Sequence, residues 1–151
     1  MPTRTPHAQV KRTLKLVTTQ HPLPHEPQEV EGFPIREWSI NIYLVGPEGD
    51  DVPANCYDKV TYMLHETFGK RQKQVFKQAP FTIKEKGWGE FDMQITLTPM
   101  GAPKGGDQTV QHDLNFQQTV YESTHSVVST PIYPTKQAWR RLEEGRVRVA
   151  C

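Results

Sequence analysis

The sequence predicts an all-β fold, an immunoglobulin-like two-sheet β-sandwich with a short C-terminal helix. Three observations point there. Several runs alternate apolar and polar residues with a period of two, the pattern of a strand with one face in a core. Gly/Pro/Asp clusters separate the runs at intervals of about 8–12 residues, as in sandwiches. Helical periodicity is confined to the tail. A β-barrel is the main rival.

In chain order, "VKRTLKLVTT" (10–19) reads as a strand with Leu14 and Leu16 on one side. The connection "HPLPHEPQEVEGFP" (21–34) is proline-rich and too polar for a core, so it is expected to run extended over the surface. In "WSINIYL", Trp38, Ile40, Ile42 and Leu44 alternate with polar residues and with Tyr43. "GPEGDD" (46–51) is a turn cluster. Val60, Tyr62 and Leu64 mark a third alternating run, and "KQVFKQ" (73–78) and "FTIKE" (81–85) are shorter candidates. Phe91, Met93, Ile95 and Leu97 repeat the pattern, and "MGAPKGGD" (100–107) is a second turn cluster. "VQHDLNF" (110–116) and "YESTHSVVS" (121–129) complete the strands. Thr135 as cap, Trp139 and Leu142 three apart, and Gly145 as stop predict the helix. The chain divides into a domain over 8–133 and a helical tail or start of a linker over 134–151.

With 151 residues the chain fits one domain with a sizeable core. A formal charge of +1 gives no net pull toward nucleic acid or membrane. No apolar run approaches the roughly 20 residues of a membrane span. The first residues lack the apolar centre of a signal peptide. Two cysteines, Cys56 and Cys151, make no disulfide framework, which favours a reducing compartment; Cys56 reads as a small core hydrophobe. The six histidines show no metal-ligand spacing, so no metal or cofactor is expected.

Two loops carry chemistry. In "KGWGEFD" (86–92) a tryptophan stands between glycines, outside the strand pattern. In "YMLHETFGKRQ" (62–72), His65, Thr67 and Phe68 fall together at a strand end. If both loops meet at one end of the sandwich, Phe68 and Trp88 become the walls of a slot. Thr67 then puts one hydroxyl into it, and Gly87 and Gly89 expose the backbone beside Trp88. Such a slot suits a flat, mostly apolar group bearing an amide, which the walls desolvate and the hydroxyl and a backbone N–H satisfy. Glu66 and Glu90 leave a cage for a charged ammonium open. The plainer readings are a loop tryptophan folded back as a plug, and a structural His65. Lys70, Arg71 and Lys73 are either a solvated turn or a steering patch for nucleic acid or an acidic partner. His112 and Asp113, adjacent on a strand, point to opposite faces and make no catalytic dyad.

"LHETF", followed by "PF" and "GWGEFD", with "VKRTLKLVTTQHPLP", "GFPIREWSINIYLVGPEG" and "HDLNF", resembles the YEATS domain family. The likeness runs over roughly residues 8–133 and is closest to fungal members shared by TFIID, TFIIF and chromatin remodellers. The resemblance implies an immunoglobulin-like sandwich that reads acyl-lysine on a histone tail. Acetyl is accepted and flat longer groups such as crotonyl are preferred. It implies that Phe68 and Trp88 stack on the acyl group, that Thr67 bonds its amide, and that the Trp88 backbone bonds its carbonyl. By the same likeness His65 supports the hydroxyl, Gly87, Gly89 and Phe91 shape the far wall, and Phe33 lies near the mouth. Asp113 matches an acidic position that pairs with a peptide arginine. Implied partners are an acylated tail of histone three and subunits of TFIID, TFIIF and remodelling or acetyltransferase complexes, in the nucleus. A scaffold subunit whose pocket is secondary is the alternative from another class. An enzyme is disfavoured, since no nucleophile sits beside a base and no carboxylate pair is evident.

Overall fold

Period-two alternation sorts the chain into strands whose apolar faces meet. The structure, a computed structural model, describes residues 10–101 and 105–129. Nine strands occur among them: β1 (Val10–Pro22), β2 (Arg36–Val45), β3 (Asp51–Pro53), β4 (Tyr57–Met63), β5 (Lys73–Phe76), β6 (Ile83–Gly87), β7 (Phe91–Pro99), β8 (Gln108–Leu114) and β9 (Val120–Ser129). They form two antiparallel sheets. One has the order β3-β2-β1-β9, with β6 also paired to β2, and the other the order β5-β4-β7-β8. β3 and β6 share one edge of β2: Arg36–Ile40 pair with β6 and Tyr43–Val45 with β3.

The alternating residues meet between the sheets. Leu14, Leu16, Trp38, Ile40, Ile42 and Leu44 come from one side, and Val60, Tyr62, Met93, Ile95 and Leu97 from the other, all buried. Tyr62 carries its hydroxyl into this core, where it donates to the Phe81 carbonyl at 2.6 Å; burial pushes its ionisation far above the usual phenol range. Cys56 packs half-buried against the core.

Three local features depart from the sequence reading. β3 starts on the last residue of the 46–51 turn cluster, and its three residues are too few to show alternation. β6 begins two residues later than expected because Phe81 has φ 55°, outside the strand region. Residues Glu66–Arg71, expected as irregular loop, form a 3₁₀ turn interrupted at Gly69, whose φ of 59° favours glycine. The predicted helix around Trp139 and both domain boundaries lie outside the described residues. Among those residues no helix is long and apolar enough to cross a membrane.

The register decides which loops are neighbours. Pro22 pairs with Arg36, Arg36 with Gly87, Met63 with Lys73 and Gln94, and Phe91 with Leu114, while Thr19 pairs with Val120. Four connections, 23–35, 64–72, 88–90 and 115–119, therefore gather at one end of the sandwich. The two loops singled out by sequence are among them.

Candidate functional site

The 64–72 excursion is closed at its base. Leu64 N–H donates to the Gln72 carbonyl at 2.7 Å, and the Gln72 side chain donates back to the Leu64 carbonyl at 3.3 Å. The loop between is thereby held as a rigid finger. At its start His65 caps the 3₁₀ turn: its Nδ1 accepts the Thr67 backbone N–H at 3.2 Å. A nitrogen that accepts that bond carries no proton, which fixes the tautomer by inference from its neighbours. The Thr67 hydroxyl, 3.0 Å from the same Nδ1, must then be the donor in that contact. Its proton is committed to histidine, and its oxygen lone pairs face outward as acceptors. Thr67 and His65 are both exposed. The site thus presents a hydroxyl oriented to receive an N–H.

Phe68 follows and is half-buried. Its ring lies 5.5 Å from Phe91 and edge-on to Trp38 at 6.4 Å. Phe91 in turn touches Trp38 at 6.0 Å and the His65 ring at 6.1 Å. Edge-to-face geometry of this kind is favoured by the ring quadrupoles. Trp38, only 1% exposed, is the base on which Phe68 and Phe91 stand.

Trp88 sits on the β6–β7 loop and is 37% exposed, so it is no buried plug. Its ring contacts Phe33 at 5.5 Å, tilted by 58°. Phe33, 51% exposed, belongs to a small bridged turn in which Val30 and Phe33 pair and Gly32 takes φ 87°. The Lys86–Glu26 ion pair (2.8 Å) ties this connection to β6, and it raises the lysine pKa.

Each predicted residue therefore lies at the same end, in two aromatic groups. His65, Thr67, Phe68 and Phe91 form one, and Phe33 with Trp88 the other. No ring contact joins Phe68 to Trp88 among the described residues; each wall is held by its own neighbours. Gly87 and Gly89 stand on either side of Trp88. Neither has a positive φ, and a Cβ on either would meet nothing within 4 Å. Their contribution here is empty space beside Trp88. Asp113 is exposed on β8, opposite Asp92 and one residue from the Phe91–Leu114 pair, and accepts from Asn115 Nδ2 at 3.1 Å.

Three further residues meet at this end: sequence singled out Arg71 as a turn or steering residue and Glu90 as a possible cage carboxylate without their partners, and passed over Glu85. Arg71 lies over the Phe68 ring at 5.9 Å, and its Nε is 3.2 Å from Glu85 Oε2. Glu90 accepts the Phe116 backbone N–H at 2.7 Å, fastening the 115–119 loop to the loop that carries Trp88. Glu85 was legible: it shares a strand face with Ile83 and Gly87 and so must point inward.

This end, with its oriented hydroxyl and paired aromatics, can be set beside known proteins. TFIID subunit 14 of Schizosaccharomyces pombe is 44% identical over 115 residues, which is 74% of this chain and 46% of that protein. The "Something about silencing protein 5" of Saccharomyces cerevisiae is 30% identical over 118 residues, 78% of this chain and 46% of that one. The chain spans about half the length of these curated relatives. Among solved structures, the Yaf9 YEATS domain recognising an H3K122suc peptide superposes with a TM-score of 0.63 at 20% identity, covering 95% of this chain and 99% of that one. The Yaf9 YEATS domain bound to H3K27ac gives the same values. At that identity the likeness establishes the immunoglobulin-like sandwich alone. The profile of the YEATS family matches residues 33–118, more than half of the chain and all four loops of the site but the start of the first, and the chain belongs to that family.

Proposed function

We propose that this domain is a reader of acylated lysine in histone tails, working within nuclear transcription complexes. The observation that carries the reading is the Thr67 hydroxyl. His65 takes its proton, and its free lone pairs stand next to Phe68 at the end that also carries Trp88. An acyl-lysine amide offers the matching N–H, and its flat acyl group matches aromatic walls. The Yaf9 structures with H3K27ac and H3K122suc support the substrate class, and the TFIID subunit supports the setting. In this reading Phe68 and Trp88 stack on the acyl group, and the Trp88 backbone N–H bonds its carbonyl. Phe91 and Phe33 back the two rings, and Gly87 and Gly89 leave the far end open. Asp113 meets an arginine beside the modified lysine through a charge-assisted bond. The domain binds and does no chemistry on the acyl group.

Thr67→Val tests the central bond. It keeps shape but deletes the hydroxyl, leaving the amide desolvated, so acyl-peptide affinity should fall by about 1–3 kcal/mol with the fold intact. Equal affinity of variant and parent would reduce Thr67 to a wall residue.

Acyl preference follows from the open end. A flat crotonyl group stacks along its whole length, whereas acetyl is too short to use it. A succinyl carboxylate loses its hydration, and the guanidinium beside Phe68 is already engaged by Glu85. Calorimetric titration with matched H3 peptides should give crotonyl tighter than acetyl by a few-fold, and acetyl tighter than succinyl. Acetyl binding tighter than crotonyl would show the far end closed. No preference for any acylated peptide over the unmodified one would remove the reader function itself.

A further inference from the structure

The two halves of the site belong to different sheets. The finger with Thr67 and Phe68 leads into β5, at the edge of one sheet; Trp88 follows β6, at the edge of the other. Among the described residues β5 pairs with β4 and β6 with β2, and no backbone ladder joins the two edges. The edge-on contact of Trp38 with Phe68 and further side-chain contacts must fix how far Phe68 stands from the strand that carries Trp88.

Glu85 bridges that gap. It is paired with Trp38 across β2 and β6, so its side chain shares the inward face, and only 11% of it is exposed. A carboxylate turned inward at a sheet edge is costly without donors. It has donors, and all come from the opposite sheet or its finger. Arg71 Nε approaches its two oxygens at 3.3 and 3.2 Å. Gln74 Nε2 donates to Oε2 at 2.9 Å and also holds the Arg71 carbonyl at 3.0 Å. Arg71 in turn lies over the Phe68 ring, three residues before it in the turn. The chain of contact runs Phe68, Arg71, Glu85, then two residues along β6 to Gly87 and Trp88.

We propose that Arg71 and Glu85 are positioning residues, a strut that sets the separation of the Phe68 and Trp88 walls and thereby the acyl group that fits between them. The inference rests on the reader function above, yet it makes a claim about the free protein too. With the strut intact the walls are held apart before ligand arrives, so a flat group inserts without a cost of ordering them. With the strut cut, each wall stays packed on its own partners, but their spacing drifts. A long planar group needs both walls along its length and suffers more than acetyl does.

The test uses Arg71→Ala, Arg71→Lys, Glu85→Gln, the Arg71→Ala/Glu85→Gln pair, and Lys70→Ala as a control on the same finger. The first readout needs no ligand: the indole ¹H–¹⁵N resonance of Trp88, assigned through Trp88→Phe. It should move in Arg71→Ala and in Glu85→Gln, and stay in place in Lys70→Ala. An unmoved Trp88 signal in Glu85→Gln and Arg71→Ala would overturn the strut whatever the peptides do. The second is the ratio of crotonyl to acetyl affinity, measured by calorimetry. It should shrink by about threefold or more in each single variant, with no further loss in the double. Arg71→Lys keeps the charge but loses the planar stack, and should recover only part of the ratio. A constant ratio, or additive losses, would assign the pair to stability alone. If the parent binds no acylated peptide, the reader function fails, and the indole resonance still decides the strut.

Discussion

Replacing Trp88 with alanine should abolish acyl-lysine binding and leave the domain folded. The two halves of that expectation come from the same geometry. Trp88 is on a loop, 37% exposed, and its ring contact is with Phe33, itself exposed. The core that holds the sandwich, from Leu14 and Trp38 to Ile95 and Leu97, does not include it. Removing the indole should therefore change stability by about 1 kcal/mol or less. In the proposed slot the same ring is a whole wall for the ligand. Truncating a central aromatic anchor typically costs 2 kcal/mol or more of binding, about thirtyfold. Calorimetry with crotonyl and acetyl H3 peptides, beside a thermal melt, measures both. A folded Trp88→Ala protein with undiminished affinity would sink the slot.

The second large effect is on stability against acid. His112 lies on β8, 1% exposed. Its Nε2 is 3.0 Å from the Thr18 hydroxyl, its ring stacks on Tyr121 at 5.9 Å, and its Nδ1 has no hydrogen-bond partner among the described residues. Burial lowers its pKa from 6.5 to about 4; His125 nearby adds to the lowering and Asp113 opposes it. The folded state thus favours neutral imidazole, and the unfolded chain takes up the proton first. Stability from this group is fully present above pH 6.5 and is lost as pH falls toward 4. The difference is on the order of 3 kcal/mol. Denaturant unfolding at pH 7.5, 5.5 and 4.5 should show a steeper acid loss for the parent than for His112→Gln, which cannot titrate. Carboxylates common to both proteins cancel in that comparison. Equal pH slopes would mean that the ring is solvated or shares its proton.

Both predictions stand on residues that the sequence presents unequally. Trp88 was legible because a large apolar side chain between two glycines breaks the alternation around it. The strands were legible for the complementary reason: Trp38 to Leu44 and Phe91 to Leu97 keep their period over their whole length. His65, Thr67 and Phe68 were found as a local cluster; a wall and a hydroxyl followed from the types of Phe68 and Thr67, and the supporting part of His65 and the acyl-lysine as ligand from family likeness. What sequence did not show is long-range pairing. Nothing local says that Arg71 meets Glu85, or that Phe33 meets Trp88 55 residues later. Backbone exceptions were equally silent: Phe81 at φ 55° reads like any strand residue until Tyr62 is seen bonding its carbonyl. Gly87 and Gly89 were legible as small neighbours of Trp88, although periodicity cannot separate a glycine required by φ from one that leaves room.

The β1–β2 connection carries a consequence for how such domains diversify. It is stitched at its base, where Leu23 N–H bonds the Ile35 carbonyl at 2.7 Å and Ile35 is buried. From Pro24 to Pro34 no residue is buried. Insertions there leave the core register untouched, and doubling a flexible loop costs only about 0.6 kcal/mol in closure entropy. The same loop delivers Phe33 to the rim of the site. Length variation is therefore tolerated most easily at the segment that shapes the approach to Trp88. An insertion there would resize the rim beside Trp88 and leave the finger that orients Thr67, stitched between Leu64 and Gln72, as it is.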